Sequence, residues 1–415
     1  MTFTPPATED LTIERLSLHA DGIARTPTGT IHVAMALPGE VVGGEIVQGR
    51  IAAPRVITPS ANRIKAPCPH YRACGGCVLQ HASDDFVAGW KADVVRQSLA
   101  AHEIAAQIRA VETSPRSSRR RATLAGRRTK KGTLVGFHAR ASDTLVEVPD
   151  CLVLRPELLA KMPALHEATA LGASRKAEIS YALTLSEAGV ELAAKGGKDM
   201  DPQLFTALAD LARRHDLARL SWEGETVAAR RPALQSFGRA KVAPPPGAFL
   251  QATAEGEAAL VAFVRKAVGN ATRVADLFSG CGTFALPLAE RAEVLAVEAY
   301  DSMLVALDQG WRAARGLKRV DHQTRDLFRR PLLPDEIDRH DAIVIDPPRA
   351  GAEAQVIEII ASKCTRLVYV SCNPVTFARD ARLLADAGFR IDDLIVVDQF
   401  RWSSHVELAA LFVRD

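Results

Sequence analysis

The stretch from Leu367 to Asp380, L-V-Y-V-S-C-N-P-V-T-F-A-R-D, puts a thiol where a nucleophile could work. Leu367 to Val370 is an unbroken apolar, β-prone run, and Ser371-Cys372-Asn373-Pro374 stops it with turn formers. Cys372 is therefore expected on a loop at the C-terminal end of a strand, the edge where open α/β sheets bind ligands. A cysteine in a helix-entry turn can equally be an inert, half-buried thiol, so its company decides. A second group of thiols lies in P-C-P-H-Y-R-A-C-G-G-C, where Cys68, Cys74 and Cys77 have the spacing C-x5-C-x2-C. Cys151 is the one other cysteine in that half of the chain and completes a set of four. Four thiolates suit either an iron-sulfur cluster or a structural zinc, and spacing alone does not choose between them. The glycine pair at 75 and 76 is expected to let the backbone turn tightly between ligands.

A third set surrounds A-D-L-F-S-G-C-G-T-F-A, residues 275 to 285. Gly280 and Gly282 would let the backbone approach a bound nucleotide, and Glu298, at the end of the next apolar run, could accept hydrogen bonds from ribose hydroxyls. This pattern also fits a nicotinamide-dependent dehydrogenase. The carboxylate of Asp276 just before the glycines, and the Asp346-Pro347-Pro348-Arg349 segment, favour S-adenosylmethionine, whose methionine end is cationic. Arg349 stands where an aromatic would stack a base for amino-group methylation, so carbon methylation through Cys372 is the sharper expectation. C5 of uracil is a poor nucleophile. Thiolate addition at C6 makes it an enolate able to accept a methyl group, and a base must then remove the C5 proton. Glu407, in S-S-H-V-E-L-A-A-L-F-V, enters a final strand and could be that base, with His405 beside it.

The elements that must position these residues can be read in outline. At 415 residues the chain is too long for one core. Leu11 to Ile57 reads as short strands separated by Asp21-Gly22, Thr28-Gly29 and Pro38-Gly39, a small β-barrel behind a disordered leader of ten residues. Residues 84 to 110 are expected to be helical. Eight cations and no acid fall between Arg116 and Lys131 (Arg116, Arg119, Arg120, Arg121, Arg127, Arg128, Lys130 and Lys131) in a strand-turn-strand pattern that would offer a phosphate backbone a positive strip. Residues 152 to 245 read as a mixed α/β insert, closed by Pro244-Pro245-Pro246-Gly247. From Phe249 onward helices alternate with the strands R-V-A-D-L-F, V-L-A-V-E, D-A-I-V-I-D, R-L-V-Y-V-S and L-A-A-L-F-V, the pattern of a doubly wound, mostly parallel sheet. The expected division is 1–60 barrel, 61–245 central domain and 246–415 methyl-transfer domain. A hydrophobic content of 47%, a charged content of 24% and a net charge of +3 suit an ordinary globular chain. No apolar run nears the roughly 18 residues of a membrane span. With no export signal at Met1, a cytoplasmic monomer without membrane contact is expected, its cysteines not paired in disulfides.

Together these motifs resemble the RNA 5-methyluridine (uracil-C5) methyltransferase family, in the branch that carries an N-terminal TRAM barrel and a 4Fe-4S cluster and acts on 23S ribosomal RNA. The matches are C-x5-C-G-G-C with a distant fourth cysteine, D-P-P-R-A-G, S-C-N-P-V-T-F-A-R-D and H-V-E. The resemblance implies an α/β protein whose C-terminal Rossmann-like sheet binds S-adenosylmethionine. It implies that Cys68, Cys74, Cys77 and Cys151 hold a 4Fe-4S cluster with a structural or RNA-folding role. It implies that Gln251, Phe278, Thr283, Glu298, Asp326 and Asp346 line the S-adenosylmethionine site, with Cys372 the nucleophile and Glu407 the base. Thr253, Ser279, Thr283 and the run Arg401-Trp402-Ser403-Ser404 depart from the family's residues. A transfer RNA substrate, and a non-catalytic RNA-binding protein on a methyltransferase scaffold, are the rival readings.

Overall fold

Alternating apolar runs and helices beyond Phe249 build one eight-stranded sheet in the computed structural model of the chain, which describes residues 10–174 and 177–415. Its order is Val320–Thr324, Glu293–Glu298, Arg273–Leu277, Ala342–Ile345, Arg366–Ser371, Glu407–Val413, Arg390–Asp398, Ala110–Thr113. The first five strands are parallel, while Glu407–Val413 runs antiparallel to both neighbours. Helices cover both faces of its middle, so the central strands must be apolar on both sides, whereas the edge strands Val320–Thr324 and Ala110–Thr113 are largely exposed. Within the run at 367–370, Leu367 and Tyr369 enter a core shared with helices Asp84–Ala100 and Pro374–Asp386, whereas Val368 and Val370 enter a core shared with helix Ala254–Ala267. That two-sided burial is why the run shows no polar alternation.

The stretch expected to be one helix from 84 to 110 is two elements. Ser83 caps the helix by accepting from the Phe86 amide, with Asp84 and Asp85 in the first turn, and the helix ends at Ala100. Glu103 then takes a positive φ of 59°, and Ala110–Thr113 joins the far edge of the large sheet, parallel to Arg390–Asp398. Edge pairing with a strand nearly 300 residues away overrides the local helical period.

Before the cysteine loop, two small sheets, Leu11–Thr12 with Val41–Gly43 and Arg55–Thr58, and Arg15–Leu16 with Gly22–Thr26, Gly29–Val33 and Arg50–Ile51, enclose a core of Ile13, Ala24, Ile31, Val33, Val42 and Ile51. The leader expected over residues 1 to 10 falls, except for Asp10, outside the described residues. Between cysteine loop and large sheet, a seven-stranded sheet contains the hairpin Arg121–Thr129 and Gly132–His138 together with Glu178–Ser186, Gly189–Lys195 and Arg219–Trp222. Helices Met162–Gly172 and Pro202–Arg214 pack on it. The proline run is anchored, Arg219 donating to the Pro244 carbonyl at 2.6 Å and the Gly247 amide to Glu191 at 3.0 Å. Among the described residues no helix is long and apolar enough to cross a membrane.

Candidate active site

Strand register brings the thiol and the carboxylate together. Ser371 pairs with Leu408 across the antiparallel ladder, so the next step outward sets Cys372 opposite Glu407 at the C-terminal edge of the parallel strands. Cys372 is half-buried, and its thiol is pushed up to about 11 by burial, then by the negative charges of Glu407 and Asp346, with Arg349 pulling the other way. Asn373 caps helix Pro374–Asp386 by accepting from the Val375 amide at 3.1 Å and donates to the Arg349 carbonyl at 2.9 Å. Those two bonds fix the turn that carries the sulfur. Glu407 is 5% exposed. Burial, followed by repulsion from Asp346, lifts its carboxyl to about 8.

Three more acids crowd the ends of the neighbouring strands. Asp276 is fully buried, and neither of its carboxylate oxygens has a hydrogen-bond partner. Burial and then Asp346 hold its pKa well above the usual range. Asp346 itself is raised to about 7 by burial. Glu298 accepts from the amides of Gly280 at 3.0 Å, Ala299 at 2.7 Å and Tyr300 at 3.1 Å. Such a concentration of desolvated carboxylates, that of Asp276 with neither oxygen partnered, suits a site that receives a cation. Gln251 reaches Asp346 at 3.4 Å. Phe278 has φ 62°, a conformation a bulky side chain holds only where its surroundings impose it; its ring stands 5.6 Å from that of Phe328. Asp326, just past strand Val320–Thr324, accepts from the Phe328 amide at 3.0 Å and so shapes the same wall. Thr283 lies half-buried in the turn between Gly282 and Phe284.

The two glycines of this turn divide their duties. Gly280, at φ 55°, has open space where a side chain would project, as close ligand approach requires. Gly282, at φ 95°, would drive a Cβ to 2.8 Å from Leu286, so its small size serves the protein's own packing rather than a nucleotide.

The thiol opens into a cavity of about 330 Å³ lined by Arg349, Cys372, Asn373 and His405, with Leu18 and His19 of the N-terminal sheets on the opposite side. Arg349 donates to His405 Nδ1 at 2.8 Å, which keeps the imidazole an acceptor and neutral. Burial first, and Arg349 next, lower its pKa to about 4.

Cys68, Cys74, Cys77 and Cys151 line one small cavity of about 40 Å³ with Tyr71, Arg119 and Phe137. Among the described residues, however, no three ligand-type side chains converge closely enough for a metal ion. Four soft thiol donors around one hollow are the set that either a structural zinc or an iron-sulfur cluster would take. The glycine pair lies in the turn between Cys74 and Cys77, without a positive φ at either. Gly75 is small because the His138 carbonyl would lie 2.8 Å from its Cβ, and its amide donates to that carbonyl at 2.9 Å.

This cysteine loop also clamps the segment that leads into strand Glu407–Val413. The amides of Val78 and Leu79 donate to the Trp402 carbonyl at 2.8 and 3.0 Å, and Trp402 Nε1 donates to Asp84 at 3.1 Å. Lys91, fully buried, bonds Asp398 at 2.5 Å and the Phe400 carbonyl at 3.1 Å. Part of the expected positive strip is engaged by the protein's own side chains, while the rest stays on the surface. Arg119 stacks over Phe400 at 5.2 Å, Arg120 pairs with Glu257 at 2.5 Å, Arg121 lies over Phe249 and Arg127 pairs with Glu178. Arg116, Arg128, Lys130 and Lys131 remain exposed. Gln399, Phe328, Lys91 and Trp402 carried no signal in the sequence, because none belongs to a motif with a spacing that names its partner.

A doubly wound sheet with buried acids, a thiol and a carboxylate gathered at its C-terminal edge is the architecture of a methyltransferase, and comparison bears this out. The fold matches that of the Pyrococcus abyssi tRNA (uracil-54, C5)-methyltransferase solved with S-adenosyl-L-homocysteine, with a TM-score of 0.77 at 22% identity over 97% of this chain and 99% of that one. Residues 317–415 match the family model described as tRNA (Uracil-5-)-methyltransferase. A Brucella suis protein named an uncharacterized RNA methyltransferase is 42% identical, covering 99% of both chains. The Vibrio parahaemolyticus 23S rRNA (uracil(1939)-C(5))-methyltransferase RlmD is 30% identical over 96% of this chain and 94% of its own. The chain belongs to the RNA uracil-C5 methyltransferase family.

Proposed function

We propose that this protein transfers a methyl group from S-adenosylmethionine to C5 of a uridine in 23S ribosomal RNA through a transient bond between Cys372 and C6 of the base. The observation that carries the reading is the meeting of Cys372 and Glu407 across one strand pair, beside a cluster of buried acids. The sulfonium donor, when bound, supplies the methyl group. Gln251, Phe278, Thr283, Glu298, Asp326 and Asp346 would hold it, and the unpartnered oxygens of Asp276 supply a buried negative charge that favours its cationic end. The Cys372 thiolate adds to C6 and sends the ring electrons onto O4; C5 then takes the methyl group. Glu407 accepts the C5 proton, and the C5–H electrons restore the double bond as the sulfur leaves. Reaching C5 and C6 requires the base to leave its stack, and the 330 Å³ cavity at Cys372 has room for a pyrimidine. The likeness to RlmD supports ribosomal RNA as substrate.

Cys68, Cys74, Cys77 and Cys151 would hold a 4Fe-4S cluster, which would cross-link the 68–77 loop to Cys151 and so brace the segment behind Trp402 and the exposed cations that meet RNA. Anaerobically purified protein is then brown and contains iron and sulfide, both lost in Cys151→Ser; a colourless anaerobic preparation refutes the assignment. For the reaction, tritiated S-adenosylmethionine is incubated with separate ribosomal and transfer RNA pools, and the protein with 5-fluorouridine RNA. Labelled ribosomal RNA and a covalent adduct that disappears in Cys372→Ala are expected. Labelled transfer RNA alone would replace the substrate, and absence of both label and adduct would leave an RNA-binding scaffold.

A further inference from the structure

Gln399 lies between the residues assigned above to the donor and the carboxylate assigned to the base. It is 1% exposed and fully engaged. Its carbonyl accepts from the Thr253 amide at 3.3 Å, and its Nε2 donates both to Gln251 Oε1 at 2.7 Å and to Glu407 Oε2. A backbone amide can only donate, so the Thr253 contact settles which end of the Gln399 amide is oxygen. Gln251 must then point its own Nε2 toward Asp346. Gly256 makes room for this: a Cβ there would sit 2.2 Å from Gln399 Cγ.

We propose that Gln399 is a positioning residue for the proton-removal step: by donating to Oε2 of Glu407, it keeps that oxygen an acceptor and leaves Oε1 as the atom that takes the C5 proton. The same side chain ties the base to Gln251, so rearrangement of the donor-side loop is felt at the base. This rests on the assignment of Glu407 as base. The charged groups around Glu407 are Asp346 at the end of Ala342–Ile345, Cys372 after Arg366–Ser371, Asp398 on Arg390–Asp398 and Lys91 on helix Asp84–Ala100. Gln399 is a neutral donor among them, and it lowers the proton affinity of Glu407 by stabilising the ionised form. Losing that donor makes the carboxylate harder to ionise; a second carboxylate in its place makes it harder still.

The test compares wild type, Gln399→Met, Gln399→Glu and Glu407→Gln. Each is assayed for adduct formation with 5-fluorouridine RNA, which needs no proton removal, and for tritium release from [5-³H]uridine RNA across pH 6 to 10. The expected result is adduct formation within about twofold of wild type in both Gln399 variants. Tritium release at pH 7.5 falls roughly tenfold or more, its rising limb moves to higher pH in the order wild type, Met, Glu, and RNA-linked protein accumulates on ordinary uridine substrate. An unshifted limb in both variants, with Glu407→Gln arrested after the adduct, overturns the role of Gln399 alone. If Glu407→Gln turns over normally, or wild type forms no adduct, the underlying assignment fails instead. A simple packing defect would depress adduct and tritium release together at every pH, and that outcome also refutes the proposal.

Discussion

Replacing Glu407 by Gln should stabilise the protein, and only at neutral and alkaline pH. The carboxyl is lifted from an ordinary 4.5 to about 8, chiefly by burial and then by Asp346. Between those values the folded state keeps a proton that the unfolded chain has lost. Stability therefore falls as pH rises through this window, and the full cost is present above about pH 8. Each tenfold change in proton affinity is worth about 1.4 kcal/mol, which sets a ceiling of about 5 kcal/mol. Asp346, itself raised to about 7, titrates in the same window and shares the strain, so about 2–4 kcal/mol is the expected gain. Gln preserves the shape and still accepts from Gln399. The assay is the denaturant midpoint of wild type and Glu407→Gln, without donor or RNA, at pH 4, 6, 8 and 9. The variant should be nearly equal to wild type at pH 4 and increasingly more stable above pH 6. A gap that does not vary with pH, or one favouring wild type at pH 9, would refute the reasoning.

Lys91→Met should destabilise the protein by about 3–5 kcal/mol, because it strands Asp398 in the core, and Lys91→Met/Asp398→Leu should recover most of that loss in denaturant titration. Arg349→Met removes the positive charge that lowers the Cys372 thiol, so alkylation of that thiol at pH 9 should slow about three- to tenfold, measured by mass spectrometry of the peptide carrying it. Trp402→Ala empties a pocket in which the side chain is 1% exposed and should cost about 3–5 kcal/mol in the same titration. Lys130→Ala/Lys131→Ala should weaken RNA binding and flatten its salt dependence without altering the melting temperature, since both side chains are exposed; unchanged salt dependence would remove the hairpin from the RNA surface.

Much of the chemistry was legible in contiguous residues. A β-prone run stopped by Ser371-Cys372-Asn373-Pro374 announces a thiol at a strand end, and the structure delivers the strand Arg366–Ser371 and a cap by Asn373. The turns between the short N-terminal strands, the alternation beyond Phe249 and the glycine turn were equally local, and so was the gathering of three cysteines within ten residues. Spacing within one segment determines these features because the backbone alone brings such residues near each other. The helix expected through residue 110 failed for the opposite reason: strand Ala110–Thr113 exists because an edge was available, not because its own residues demand it.

What only the tertiary structure decided is who faces whom. The cation run promised a surface, yet Arg119, Arg120 and Arg121 are occupied by Phe400, Glu257 and Phe249. Lys91 and Asp398 lie 307 residues apart. Gln399, unremarkable in the chain, joins Gln251 to Glu407. Composition and period specify which residues prefer the interior, but a buried charge or amide must satisfy its bonding within the space the packed elements leave. That partner is selected by the path of the whole chain, which is why reactive groups could be named from the sequence while the bonds that hold them ready could not.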